Sequence, residues 1–147
     1  MAQNIQSVMA GLILFLTIGC SKETPKANEE PAGPPIAVDV ETLVGDFAAD
    51  PQAGNTKYQH KRVAVHGLIA SIHPSGNDHI ITLIGLNERP GPVKCIVPTE
   101  QVERIKETDE VVIEGKCDGY SKVDGTHTVS LSECRIKEIK TDKKSAK

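Results

Sequence analysis

Residues 109–139, DEVVIEGKCDGYSKVDGTHTVSLSECRIKEI, decide the fold. Val111, Ile113, Gly115 and Cys117 alternate with Val112, Glu114 and Lys116, the period of two that gives a strand one apolar face. Asp124-Gly125 signals a reversal, and Thr128 to Ile136 returns as a second strand. A three-residue loop, Asp124-Gly125-Thr126, would set Ser121 opposite Val129 and Gly119 opposite Leu131. The apolar parity then shifts between Leu131 and Cys134, so one residue must be extra. A β-bulge at Ser132-Glu133 supplies it and puts Cys134 opposite Cys117 on the same face. Opposed residues have Cβ atoms about 4.5–5.5 Å apart, close to what a disulfide needs. Cys117 and Cys134 are therefore expected either as a disulfide or as two small buried thiols packed side by side.

The start of the chain bears on that choice through the redox compartment. Residues 1–19 carry no charge, and VMAGLILFLTI, residues 8–18, is an apolar run of 11 residues. This is the length of a signal-peptide core and short of the ~20 residues needed to span a bilayer. It ends in LTIGCS, residues 16–21, which resembles the bacterial lipobox. The resemblance implies cleavage before Cys20, a diacylglyceryl lipid on its sulfur, and attachment to a membrane of the cell envelope. The alternatives are a secretory signal cleaved elsewhere or an uncleaved anchor. Ser21 favours the outer membrane or periplasmic face, by analogy with lipoproteins generally. Envelope compartments are oxidising, which favours the bridge. Cys95, in VKCIVP, is then left over as an inward-facing strand residue, buried and inert.

Composition narrows the function classes. The formal charge is -3, with no basic excess to advertise nucleic acid or an anionic surface. Beyond residue 19 the aromatic residues are Phe47, Tyr58 and Tyr120. SKETPKANEEPAGPPI, residues 21–36, is too polar and proline-rich to bury a core and reads as a disordered tether. DVETLVGDFAAD, residues 39–50, places Val40, Leu43, Val44, Phe47 and Ala48 on one helical face. Asp39 is the expected N-cap, and Pro51 the stop before a loop through Gly54-Asn55. Strands are expected over Lys61–His73, with Gly67 marking a bend or bulge, then His79–Leu86 and Val93–Val97. A two-turn helix, Thr99–Glu107 capped by Thr99, follows. After the hairpin comes a solvated lysine-rich tail, 141–147.

Strand, strand, strand, helix, strand, strand suits a mainly β fold. It is that of a five-stranded OB-type Greek-key barrel with an N-terminal helix and a short helix between strands three and four. The barrel is placed at 37–140, after a signal peptide (1–19) and a lipidated tether (20–36). TLVGDF, KYQHKRVAVHGLIASI, VKCIVP, EVVIEGKCDGY and VSLSECRI together resemble the tRNA_anti-like OB-fold lipoproteins, over about Val38 to Ile139. That resemblance implies the OB fold and surface attachment, and little about activity.

Oligonucleotide binding is the reading inherited with the fold, but it needs stacking aromatics over a basic groove, and this chain is poor in both. His60, His66, His73, His79 and His127 form no HxxxH pair, and the cysteines no CxxC, so no metal or other cofactor is expected. No catalytic constellation stands out. A non-catalytic binding module is left. Its surface is expected on strands two and three and the loops Pro74–Asp78 and Asn87–Pro92, with Asn77, Arg89 and Tyr120 as candidate contacts. The expected partners are the membrane through the lipid, and a protein, peptide or saccharide ligand.

Overall fold

The computed structural model describes residues 33–87 and 91–140. The signal-like segment, Cys20, most of the tether, Arg89 and the tail 141–147 lie outside the described residues. In chain order come β1 (Ile36–Asp39), α1 (Val40–Ala49), α2 (Pro51–Tyr58), β2 (Arg62–Ser75) and β3 (Asp78–Ile84). Then follow β4 (Val93–Pro98), α3 (Thr99–Val102), β5 (Glu110–Val123) and β6 (Thr126–Lys140).

Strand β2 is long enough to serve two neighbours. Its first half pairs antiparallel with β5, from Arg62↔Lys116 to Leu68↔Glu110. Its second half pairs antiparallel with β3, from Leu68↔Ile84 to Ser75↔Asp78. β3 continues to β4, β4 to β6 and β6 to β5, which closes a five-stranded barrel in OB order. The helix between the third and fourth barrel strands is present, but α3 is a single turn. Thr99 does not cap it. Pro98 holds the N-cap position, and the Thr99 hydroxyl donates instead to the Asn77 carbonyl at 2.8 Å.

Alternation works as expected inside the ring. Val63, Val65 and Ile69 of β2, Ile81 and Leu83 of β3, and Val93, Cys95 and Val97 of β4 are all buried. The interior is aliphatic, each such side chain contributing about 1.5–3 kcal/mol relative to exposure. The bulge in β2 lies at Ala70, where the register with β3 shifts between Ile69 and Ser71. Gly67 is not the bulge but a point of close approach. A Cβ there would lie 2.7 Å from Val40 Cγ2 and 2.8 Å from the Ile84 carbonyl, so glycine lets α1 sit close on the barrel.

The hairpin departs from the expected register. Asp124 (φ 49°) and Gly125 (φ 79°) form a two-residue turn, Val123 pairing directly with Thr126. Two positive φ angles in a row are what a type I′ turn requires and what matches strand twist, hence the Asp-Gly pair. Every pair near the turn therefore differs by one from expectation: Ser121 faces Thr128 and Tyr120 faces Val129. An extra residue at Asp118 then makes Cys117 the partner of Leu131. The expected bulge exists, with Glu133 at φ 50°, but it sets Cys134 against Gly115 rather than Cys117. The Cys117–Cys134 bridge is thus not formed: Cys95, Cys117 and Cys134 are free, buried thiols.

Two elements were not expected. β1 lies where the tether meets the first helix, and it pairs in parallel with β2 from Ile36↔Val63 to Asp39↔His66. Asp39 occupies the N-cap position of α1 without capping it; its Oδ1 lies 3.0 Å from His66 Nδ1. Pro51 starts a helix rather than merely ending one. Asp50 Oδ1 accepts from Gln52 N (3.0 Å) and Ala53 N (3.2 Å), with Pro51 in the first turn, where its missing N–H costs nothing. The α1–α2 pair covers the barrel through Val40, Leu43, Val44, Phe47 and Tyr58, all buried.

One buried ion pair ties β2 to β5. Arg62 Nε donates to Glu114 Oε1 at 2.8 Å, and the two side chains are 7% and 9% exposed. Lys137 Nζ of β6 lies 3.1 Å from Glu114 Oε2. Burial alone would push the Glu114 carboxyl up; Arg62 and Lys137 outweigh it and hold the group below its ordinary value. A depressed folded-state pKa stabilises the fold above the unfolded value, about 4.3, and this is lost as pH falls through the folded value. Glu114→Gln removes the carboxylate that both buried Arg62 and Lys137 face and should cost roughly 3 kcal/mol at pH 7, read as a lower urea midpoint. The gap between wild type and variant should narrow as pH drops below ~4.

Candidate binding face

The outer surface of β3 and β4 is built from the residues whose neighbours in sequence fill the core. The register aligns them in rungs. His73, Ile80 and Ile96 form one; Ser71, Thr82 and Lys94 form the next; Leu68 and Ile84 form a third. Ile84 is 41% exposed, Ile96 43% and Leu86, just beyond β3, 43%. The rungs are aliphatic at both ends and polar in the middle, with Lys94 supplying the formal positive charge. None of these residues is Phe, Tyr or Trp.

Both ends of the face are pinned. At one end the Thr99 hydroxyl, which donates to the Asn77 carbonyl, also lies 3.1 Å from His79 Nδ1, joining the β2–β3 turn to α3. At the other end Glu41, in the first turn of α1, accepts from Asn87 N at 2.8 Å. A Cβ on Gly85 would lie 2.4 Å from the Glu41 carboxyl carbon, so glycine admits that contact. Asn77 is exposed at the turn, as a recognition loop requires.

Tyr120 is not on this face. Its ring stacks on Phe47 at 5.5 Å with an interplanar angle of 1°, and its hydroxyl is hydrogen-bonded to His127 Nδ1. Phe47 in turn meets Tyr58 at 5.8 Å. Tyr58 donates to Asp46 Oδ2 at 2.6 Å, and Lys57 Nζ lies 2.8 Å from the same oxygen. Hydrogen bonds from Lys57 and Tyr58 hold the Asp46 carboxyl below its usual value. A Cβ on Gly54 would sit 2.5 Å from the Phe47 ring, so α2 packs directly on that ring. Phe47, Tyr58 and Tyr120 are thus spent on docking the helices. The sequence carries a hint of this, since Phe47 lies on the apolar stripe of α1.

The histidines are dispersed. His66 of β2 bridges Asp39 and Glu110, with Nε2 2.5 Å from Glu110 Oε1, and Lys140 Nζ lies 3.2 Å from the same oxygen. His79 and His127 have the partners just named. Among the described residues, no group of three or more His, Cys, Asp or Glu could hold a metal. The cysteines are poor nucleophiles here: burial pushes the Cys117 thiol up to about 11. A cavity of about 610 Å³ lies between α3 and β6, where Gln101 Oε1 accepts from Ile136 N at 2.9 Å. Its wall carries Glu100, Arg104 and Glu138, charges of both signs.

The tRNA_anti-like family model matches residues 3–134. No match is found among curated protein sequences. Among solved structures, a lipoprotein of Klebsiella pneumoniae subsp. pneumoniae, assigned provisionally to nucleic-acid binding, aligns at 16% identity with a TM-score of 0.55. It covers 69% of this chain and 92% of its own. An OBody, NL8, bound to hen egg-white lysozyme aligns at 23% identity with a TM-score of 0.38, covering 53% of this chain and 96% of its own. The Klebsiella likeness shows a shared fold; the second is too distant to carry an argument.

If Glu41 pins the edge of the face, Glu41→Ala should loosen residues 85–87 while the barrel stays folded. A charge-assisted hydrogen bond of about 1.5–2 kcal/mol corresponds to exchange of the Asn87 amide roughly tenfold faster or more, with β2–β5 amides unchanged.

Proposed function

The chain belongs to the tRNA_anti-like family, and on that footing we propose that it is a non-catalytic binding module of the cell envelope. Lipid on Cys20 would hold it at a membrane, and the outer face of β3 and β4 would receive a protein segment. One observation carries this reading: the face presents Ile84 and Ile96 to solvent, with half-buried Ile80, around Thr82 and Lys94. Exposed aliphatic residues grouped on one surface of an otherwise well-packed domain suit a protein or peptide partner. A saccharide would be better served by an aromatic platform. OB barrels commonly recognise ligands through this same face and its flanking loops.

Envelope attachment is supported by the lipobox-like LTIGCS ahead of the domain and by the lipoprotein of like fold. No helix among the described residues is long and apolar enough to cross a membrane. Intact mass of the chain recovered from the membrane fraction should fit a start at Cys20 plus diacylglycerol. A mass retaining Met1 without lipid would sink the anchor.

Oligonucleotide binding is the second reading, and the name of the Klebsiella protein favours it. Against it, single-strand binding draws ~1–3 kcal/mol per base from aromatic stacking, and the aromatics of this domain are packed under its helices.

A photo-crosslinking residue at Thr82, introduced in cells, should give a discrete protein adduct; one at exposed Lys122 should not. Ile96→Glu should abolish the adduct, since a buried unpaired carboxylate costs on the order of 2 kcal/mol or more at such a contact. The fold itself should change by less than about 0.5 kcal/mol. An unaffected adduct would move the site elsewhere. A salt-sensitive anisotropy shift with a single-stranded oligonucleotide would favour the second reading.

A further inference from the structure

β4 and β6 meet over only three parallel pairs, Val93↔Val129, Lys94↔Ser130 and Cys95↔Leu131. Beyond them the two strands part. β4 runs on to Pro98 and passes straight into α3, while β6 continues to Lys140 beside β5. Among the described residues, β6 past Leu131 therefore has a strand on its β5 side alone. Its other edge looks across the cavity of about 610 Å³ to α3.

The Ile136 N–H leaves the β5–β6 ladder and donates to Gln101 Oε1 at 2.9 Å. A side-chain amide oxygen thus stands where a neighbouring strand would place a backbone carbonyl. Ile136 and Ile139, half-buried against the core, give the cavity an apolar floor. Its exposed rim carries Arg104, Arg135 and Lys137 against Glu100 and Glu138, three cations to two carboxylates. Lys137 also lies 3.1 Å from Glu114, whose other partner is Arg62. Counting that pair adds one charge of each sign, and the positive excess stays.

We propose that this gap is a peptide-binding site, separate from the β3–β4 face, in which an extended acidic segment adds a strand to the open edge of β6. Strand addition draws affinity from main-chain hydrogen bonds and selects alternate side chains through pockets beside the edge. Here the incoming strand takes over the Ile136 N–H from Gln101. One of its side chains settles over Ile136 and Ile139, and a carboxylate meets Arg104. The volume lies within the ~300–1,000 Å³ of ligand sites. A second copy of this chain fits worse. It would bring its own α3 to the same gap, and the extra residue at Lys137 bends the edge out of the flat path that joins one sheet to another. A single extended segment is narrow enough to enter.

This site needs neither the lipid nor the β3–β4 face, so it stands or falls apart from them. The full chain in detergent is immobilised, and a displayed library of short linear peptides is selected on it. The enriched peptides should alternate β-branched residues and carry Asp or Glu. In amide spectra the tightest of them should shift residues 132–139 and the Gln101 side-chain amide, leaving 80–84 unmoved. Methylating the backbone nitrogens of that peptide should abolish binding, and Arg104→Glu should weaken it roughly fivefold. In Gln101→Ala the Ile136 amide should exchange faster in the free protein and regain protection once the peptide is bound. No enrichment, a basic consensus, shifts confined to β3 and β4, or binding indifferent to N-methylation would overturn the proposal. So would a concentration-dependent dimer that shifts the same β6 amides without peptide.

Discussion

A five-stranded sheet closes into a barrel only if its long strands bend, and here that requirement falls on β2, β5 and β6. β2 bends at Ala70, so that one strand serves β5 with its first half and β3 with its second. β5 and β6 slip past each other at Asp118, at Glu133-Cys134 and at Lys137. Each slip leaves one residue unpaired in the ladder and adds twist. The last of them is also useful electrostatically, since Lys137 reaches the buried Glu114 carboxylate that Arg62 already holds. Closure, the ion pair and the placing of Cys117 and Cys134 are consequences of the same bent hairpin.

That geometry also divides the surface. The helices α1 and α2 need a flat apolar seat and find it on β2, β5 and the residues around Tyr120, where Phe47 stacks. The aromatics of the domain are consumed in this seat. What is left uncovered is the outside of β3 and β4, whose rungs are aliphatic and small polar. Where the aromatics are not matters as much to function as what the exposed face contains. An OB barrel with stacking residues on this face would suit nucleobases; isoleucines there are what the proposed protein partner rests on.

The glycines mark the places where backbone or side chain must come closer than a Cβ allows. Gly54 yields to the Phe47 ring, Gly85 to the Glu41 carboxylate and Gly115 to the Cys134 sulfur. In sequence these three look alike. In the fold they serve helix docking, the edge of the exposed β3–β4 face and the packing of a thiol.

Sequence periodicity by itself determined the barrel. The alternation in Lys61–His73, Val93–Val97 and Val111–Cys117, together with Asp124-Gly125, specifies strands and a reversal because side chains on a pleated strand point to opposite faces. The amphipathic stripe of α1 was legible for the similar reason that a 3.6-residue period has one apolar side. The helix α2 has a local signal in Asp50-Pro51, its cap and first turn, but its weakly apolar sequence hides it from periodicity. Register was not legible. A two-residue turn and a three-residue turn differ by one position, local sequence scarcely separates them, and that one position decides whether Cys134 meets Cys117 or Gly115. β1 was hidden as well, because four residues pairing in parallel with β2 carry no local signal. The fate of Tyr120 depended on contacts with Phe47 and His127, the first of them remote in sequence. Only the closed tertiary structure, which forces distant segments to share one interior, could settle such questions.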